Sequence, residues 1–172
     1  MGSEMCIRDS YSICGLVVRS HEVEPLNSSS LTFVRLMENL SLLPIEQKHI
    51  LLIDGDETEA RADFEIDIPT WLDGLARRFS ECAYIEADIW GGTGMQAGVV
   101  FQGGQVFKGP VISSAAINFS LRHLGVVSGS DVGFLSALIG NHKDAFDKVG
   151  LGRFRSVEGW KNAAEQGAGS QH

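Results

Sequence analysis

Residues 50–58 read ILLIDGDET, in which Asp54, Asp56 and Thr58 follow the short apolar run of residues 50–53. A carboxylate can attack phosphorus when a magnesium ion screens the charge repulsion between the two groups. The same residues begin an acidic stretch, because residues 54–67 hold seven Asp and Glu against one Arg. A solvated acidic loop is therefore the alternative interpretation. An EF-hand calcium loop is disfavoured, since Glu59 stands where that loop needs glycine.

Residues 50–58 resemble the strand plus DxDxT pattern of haloacid-dehalogenase-type phosphatases. The resemblance implies Asp54 as nucleophile, Asp56 as general acid, Thr58 as a supporting hydroxyl and Mg²⁺ as cofactor. That family needs a parallel α/β sheet with further catalytic residues at successive strand ends. The downstream strands of this chain instead predict a meander. A Mg-dependent phosphatase or hydrolase is therefore the alternative function.

A second group of chemically capable residues lies in residues 83–101, AYIEADIWGGTGMQAGVVF, which predict two strands joined by a glycine turn. Strand alternation places one polar and aromatic set on a single face, opposite the core. That set is Tyr84, Glu86, Asp88 and Trp90. Carboxylates two residues apart can receive Arg or Lys from a partner, and Tyr and Trp are typical of binding hot spots. The pattern predicts a partner-binding face; an exposed sheet face without a partner is the alternative.

The elements that would position these residues alternate in type along the chain. Strands are predicted at 12–19, 49–53, 63–68, 83–90, 95–101 and 105–108, and helices at 31–43, from Thr70 to 79, after Ser113 or Ser114, at 131–139 and at 144–149. The helix at 31–43 is predicted because apolar residues recur there at helical spacing. Consecutive hairpin strands favour an α+β fold with a mainly antiparallel sheet and helices packed on one face.

The ends of the chain are set apart from this single domain, which is expected over residues 11–165. Residues 1–10 are expected to be an artefactual leader, because residues 5–10, MCIRDS, resemble the translated end of a sequencing-library adapter. That resemblance implies a metagenomic source. Residues 166–172 are small and polar and are expected to form a disordered tail.

Composition narrows the classes of partner. The 172 residues include 14 Lys and Arg against 22 Asp and Glu, which gives a net charge of −8. Such a charge favours a basic protein partner and disfavours nucleic acid and anionic membranes. Three cysteines without ligand spacing indicate reduced, buried thiols in a cytoplasmic protein. No apolar run reaches the roughly 18 residues that span a bilayer.

The hairpin, the helix AINFSLRHLGV and the ending DAFDKVGLGRFRSVEGW, together about residues 83–160, resemble a family of small, mostly uncharacterised bacterial proteins. Proteins of this general type include immunity proteins, which neutralise secreted toxins. The small size and acidity of the chain, taken with this resemblance, favour a non-enzymatic acidic binding protein of the immunity type. No catalytic residues are carried over from the family, and neither a metal nor a cofactor is expected. A third hypothesis is a structural or oligomeric module whose exposed strand pairs with a second copy.

Overall fold

The computed structural model describes residues 10–23, 31–46, 70–90, 93–127 and 145–169. Six strands in these residues form one antiparallel sheet with the order β2-β3-β1-β4-β5-β6. They are β1 (Tyr11–Arg19), β2 (Val34–Arg35), β3 (Leu40–Pro44), β4 (Glu81–Trp90), β5 (Thr93–Gln102) and β6 (Gln105–Ser113). The sheet and its helices form an α+β fold, which confirms the predicted class.

Five α-helices accompany the sheet in the described residues. They are α1 (Ser20–Val23), α2 (Thr70–Ala76), α3 (Ala116–His123), α4 (Ala145–Val149) and α5 (Val157–Gly169), with a 3₁₀ turn at Leu151–Arg153. The predicted helix start at Thr70 and the short helix at 144–149 are confirmed. Ala115, rather than a serine, occupies the N-cap of α3, and the Ser113 hydroxyl accepts a hydrogen bond from the Ala115 amide at 3.2 Å.

The predicted hairpin is the longest-paired part of the sheet described. β4 and β5 pair from Glu81 opposite Gln102 to Trp90 opposite Thr93. β6 then returns along β5 through a tight turn in which Gly103 and Gly104 have φ of 59° and 76°. Positive φ of this kind is open to glycine without steric cost, so these two residues fix the β5–β6 turn.

An apolar core lies on each face of the sheet. The first core joins side chains of β1, β4 and β5 to α3, α4 and α5. The second core joins the opposite faces of the same strands to α1 and α2. Helices therefore lie mainly on one face, as predicted, but the other face is also covered. Both faces of β4 are consequently withdrawn from solvent.

The helix predicted at residues 31–43 is wrong. The structure places β2 and β3 there, joined by a turn in which Glu38 and Asn39 each have φ of 57°. Leu40, Leu42 and Leu43 are all buried, because β3 lies between β2 and β1 and is covered on both faces. Such a strand has buried residues on both faces, so its sequence lacks a clear period of two and cannot be told from that of a buried helix.

The C-terminal region packs onto the first core through Trp160 of α5. Its ring lies 4.8 Å from that of Phe154, edge to face, and the Arg153 guanidinium lies over both rings. α5 runs to Gly169, past residue 166 where the tail was predicted to begin. The predicted strands at 49–53 and 63–68 and the predicted helix at 131–139 lie outside the described residues. No helix in the described residues is long and apolar enough to cross a membrane.

Candidate functional site

The predicted partner-binding face of β4 lies inside the protein. Tyr84 and Glu86 are both 0% exposed, and Asp88 is half-buried. β4 is an interior strand between β1 and β5, and Leu72 of α2 packs in the core that covers this face. The expectation of a solvent-facing surface is therefore wrong for Tyr84 and Glu86. Trp90 ends the strand opposite Thr93.

Three of the buried groups form what we term the internal polar cluster: Cys14, Tyr84 and Glu86. The Tyr84 hydroxyl donates a hydrogen bond to Glu86 Oε1, and Cys14 Sγ lies 3.2 Å from the Tyr84 hydroxyl oxygen. The sheet register brings them together, since Cys14 of β1 pairs with Glu86 of β4. Tyr84 and Glu86 share a face because they are two residues apart on a strand.

The surroundings of Tyr84 keep its hydroxyl protonated. Burial is the largest cause that raises the pKa of Tyr84 far above its ordinary value, and the neighbouring Cys14 and Glu86 raise it further. A protonated phenol can donate a hydrogen bond but cannot act as a base. The internal polar cluster therefore joins β1 to β4 by side-chain contacts in the buried interior of the protein.

The second described cysteine is also inert. Burial raises the pKa of the Cys82 thiol to about 12, and the carboxylate of Glu22 raises it further. Glu22 lies next to the start of β4, because its Oε1 accepts a hydrogen bond at 3.0 Å from the amide of Ser80, the residue before β4. Since the thiolate is the nucleophilic form, Cys82 is a poor nucleophile. Cys14 and Cys82 are both free and buried, which confirms the prediction of buried thiols.

The DGDET residues Asp54, Asp56 and Thr58 lie outside the described residues. Every strand pairing that the structure describes is antiparallel, whereas the phosphatase resemblance requires a parallel sheet. In the described part of the chain, no group of three or more His, Cys, Asp and Glu is arranged to hold a metal ion.

Exposed aromatic side chains mark a surface that the sequence analysis missed. Phe107 of β6 is 50% exposed and Phe119 of α3 is 36% exposed. His123 lies between them, with ring centroids 6.0 Å from Phe107 and 4.7 Å from Phe119. The ammonium of Lys108 lies 5.6 Å above the Phe107 ring. We term these four residues the β6–α3 surface.

A signal for the β6–α3 surface does exist in the sequence. Residues 89–130 contain no Asp or Glu, although the whole chain has 22 of them. The surface therefore lies in the least acidic part of an acidic protein. The sequence alone does not show that α3 packs beside β6, because this contact depends on how α3 folds back over β5.

Charge is distributed unevenly between the described residues and the rest of the chain. The described residues carry ten Asp and Glu and ten Lys and Arg, so their formal charge is zero. The net charge of −8 therefore comes entirely from the other segments, above all from residues 54–67. Several described acids are paired on the surface, including Asp73 with Arg77 at 2.9 Å and Glu81 with Arg19 at 3.4 Å.

Comparison with known proteins finds similarity to uridylate kinases of Legionella pneumophila. The chain is 30% identical to those of strains Paris and Lens over 118 residues, and 29% identical to that of strain Corby over 116 residues. These matches cover 67%, 67% and 66% of this chain and 41% of each relative. No family model and no solved structure matches the chain. The chain thus spans about two fifths of the length of the curated relatives it matches.

Proposed function

We propose that this protein is a non-enzymatic binding protein of the immunity type, which neutralises a basic toxin by forming a complex with it. The observation that carries the proposal is the separation of charge. The described residues have no net formal charge, while residues 54–67 concentrate seven acids against one base. A concentrated negative segment attracts a positively charged partner over about one Debye length, roughly 8–10 Å in ordinary salt.

The buried reactive groups support a role in binding rather than catalysis. Tyr84, Glu86 and Cys14 are withdrawn from solvent and contact one another. Cys82 keeps its proton. None of these side chains is placed to meet a substrate, so they serve the fold.

Inhibition of basic toxins tests the proposal. A panel of purified basic nuclease toxins is titrated with the protein, and we expect stoichiometric inhibition of at least one. A variant carrying Glu57→Gln, Glu59→Gln, Asp63→Asn and Glu65→Gln should associate with that toxin about tenfold more slowly at low salt, because electrostatic attraction acts mainly on the association rate.

Glu158→Gln with Glu165→Gln is the matched control, since both carboxylates are exposed on α5 within the neutral part of the chain. This control should associate almost as fast as the parent protein. Absence of inhibition across the panel, or an unchanged association rate in the four-site variant, would refute the proposal.

The second candidate is Mg-dependent phosphoryl chemistry at Asp54 and Asp56, with Thr58 as a supporting hydroxyl. It is favoured by the similarity to proteins named uridylate kinase, a name that states a phosphoryl-transfer reaction on uridylate. The residues would hold Mg²⁺ through their carboxylates, which are the oxygen ligands this ion takes in proteins.

Turnover assays separate the two candidates. The protein is assayed with Mg²⁺ against a phosphatase substrate panel, and against uridylate with ATP. Turnover that Asp54→Asn abolishes would establish the second candidate and exclude a purely binding role. Absence of turnover, together with no Mg²⁺-induced shift in melting temperature, would exclude it.

A further inference from the structure

We propose that the β6–α3 surface binds an extended segment of a partner protein in which apolar and acidic residues alternate. This inference is independent of the toxin partner, because it concerns a cationic and aromatic surface, whereas the toxin is drawn to the acidic residues 54–67. It assigns a second interaction site to the protein.

The apolar part of the surface is a row of three rings. Phe107 and Phe119 are contributed by a strand and a helix, and His123 bridges them edge to face. Half of Phe107 remains exposed despite this contact. Rigid aromatic side chains lose little conformational entropy on binding, so a row of them offers contact area at low cost. An apolar side chain from a partner would cover Phe107 and Phe119.

The charge of the surface selects an acidic partner. Within the acid-free residues 89–130 the only formal charges are Lys108 and Arg122. Lys108 lies over the Phe107 ring, and it makes no ion pair with any of the residues that the structure describes. A carboxylate next to an apolar residue of the partner can therefore reach the Lys108 ammonium while its neighbour covers the ring. A basic segment would meet repulsion from the same ammonium.

The position of β6 favours an extended partner. β6 is an edge strand of the described sheet, and an extended segment lying beside such a strand presents alternate side chains to it. Pro110 lies in the middle of β6 and has no amide hydrogen to donate, so main-chain pairing cannot run along the whole strand. Side-chain contacts with Phe107 and Lys108 therefore carry most of the recognition.

Fluorescence polarisation with defined peptides tests the inference. The probe is a labelled eight-residue peptide that alternates Glu with Phe and Ile, and its matched control has Lys in place of each Glu. The full-length protein should bind the acidic peptide, and should bind it at least tenfold more tightly than the basic one. Equal binding of the two peptides, or no binding of the acidic one, would overturn the proposal.

Variants locate the binding on the protein. Phe107→Ser and Lys108→Glu should each weaken acidic-peptide binding at least tenfold. Met37→Ser is the control, because Met37 is 61% exposed but lies in the β2–β3 turn at the opposite edge of the sheet. Circular dichroism melts establish that each variant is folded. Wild-type affinity in a folded Phe107→Ser variant would exclude the β6–α3 surface.

Two other occupants of the surface are outcomes of the same experiment. If light scattering shows a dimer that Phe107→Ser converts to a monomer, the occupant is a second copy and the acidic-segment proposal is wrong. Tighter binding of a single-stranded oligonucleotide than of the acidic peptide would likewise overturn it. The variant with four neutralised acids in residues 54–67 should keep acidic-peptide binding, which separates this result from the toxin experiment.

Discussion

Tyr84 and Phe107 are both aromatic residues on strands of one sheet, yet their surroundings are opposite. Tyr84 lies on β4, which has a neighbouring strand on each side and a helix over its face, and it is fully buried. Phe107 lies on the edge strand β6 and is half exposed. Whether each of these aromatic residues is buried or exposed therefore depends on whether its strand lies in the interior or at the edge of the sheet, and not on the local sequence pattern. The buried residue stabilises the fold, whereas the exposed residue is available to bind a partner.

The same contrast holds for charge. Glu86 in the interior accepts a hydrogen bond from the Tyr84 hydroxyl, as a buried polar group must when it leaves water. Lys108 at the edge makes no ion pair with any described residue, and its ammonium lies 5.6 Å from the centre of the Phe107 ring. A charged group whose interactions are already formed serves stability. A charged group beside an exposed ring can still gain from a binding partner.

The largest expected difference is between alanine substitutions at the two aromatic positions. Tyr84→Ala should lower the free energy of unfolding by about 3–5 kcal/mol, because it leaves a cavity in the second core. Phe107→Ala should change it by less than about 0.5 kcal/mol, since that ring is half exposed. Urea denaturation of both variants measures the two values. Similar losses of stability in the two variants would contradict the contrast between a buried Tyr84 and a half-exposed Phe107.

Alkaline pH should lower the free energy of unfolding through buried groups of the interior, and not through the exposed residues of the sheet edge. Above pH 9.0 the unfolded Cys82 thiol loses its proton, whereas the folded thiol keeps its proton up to about pH 12. The folded state then binds more protons, so the free energy of unfolding falls as pH rises, by about 1.4 kcal/mol per pH unit from this group. Cys82→Ala should make the fall between pH 9 and 12 less steep, whereas Phe107→Ala should leave it unchanged. Denaturation at several pH values provides the measurement.

Gly98 controls how closely α3 approaches β5, and so where Phe119 and His123 lie. A Cβ at Gly98 would lie 2.2 Å from Ser120 Oγ and 2.9 Å from the Ala116 carbonyl oxygen. Gly98→Ala should therefore cost about 1–3 kcal/mol of stability and displace α3. Gly74→Ala in α2 meets nothing within 4 Å and should instead stabilise by about 0.5–1 kcal/mol. Thermal melts that rank the two variants in the reverse order would contradict this packing.

Removal of the Tyr84 hydroxyl should cost less stability than removal of its whole ring. Tyr84→Phe keeps the ring but removes one hydrogen-bond donor to the buried Glu86, and should cost about 1–3 kcal/mol, because the buried acceptor loses that partner. The edge offers a matched control in Phe119→Tyr, which adds a hydroxyl to a partly exposed ring and should change stability less. A loss for Tyr84→Phe equal to that for Tyr84→Ala would mean that the hydroxyl, and not the packing of the ring, holds the site.

Local signals were sufficient for much of the fold. The strands β1, β4 and β5 follow from patterns within about ten residues, and the structure confirms them. Gly91 and Gly92 of the predicted glycine turn lie outside the described residues. The same method gave the wrong element for residues 31–43, because Leu42 and Leu43 lie on opposite faces of the interior strand β3 and are both buried. Their strand state depends on pairing with β1, which is not a local property.

The candidate site could be predicted only in part. Alternation correctly placed Tyr84 and Glu86 on one face of β4, opposite Ala83 and Ile85. It could not show that α2, which lies before β4 in sequence and is separated from it by a turn, covers that face. The β6–α3 surface was missed for the converse reason, since the exposure of Phe107 depends on β6 having no neighbour beyond it among the described strands.

The sheet order also has a consequence for synthesis on the ribosome. β1 is made before β4, yet it must pair with β4 from Tyr11 opposite Ile89 to Val18 opposite Cys82. Until β4 emerges, β1 has one unpaired edge, and its apolar residues Leu16 and Val18 lack the core that later covers them. During elongation the growing chain therefore exposes β1 as an apolar strand with an unpaired edge. Such a strand is prone to aggregation, although it becomes an interior strand of the finished sheet.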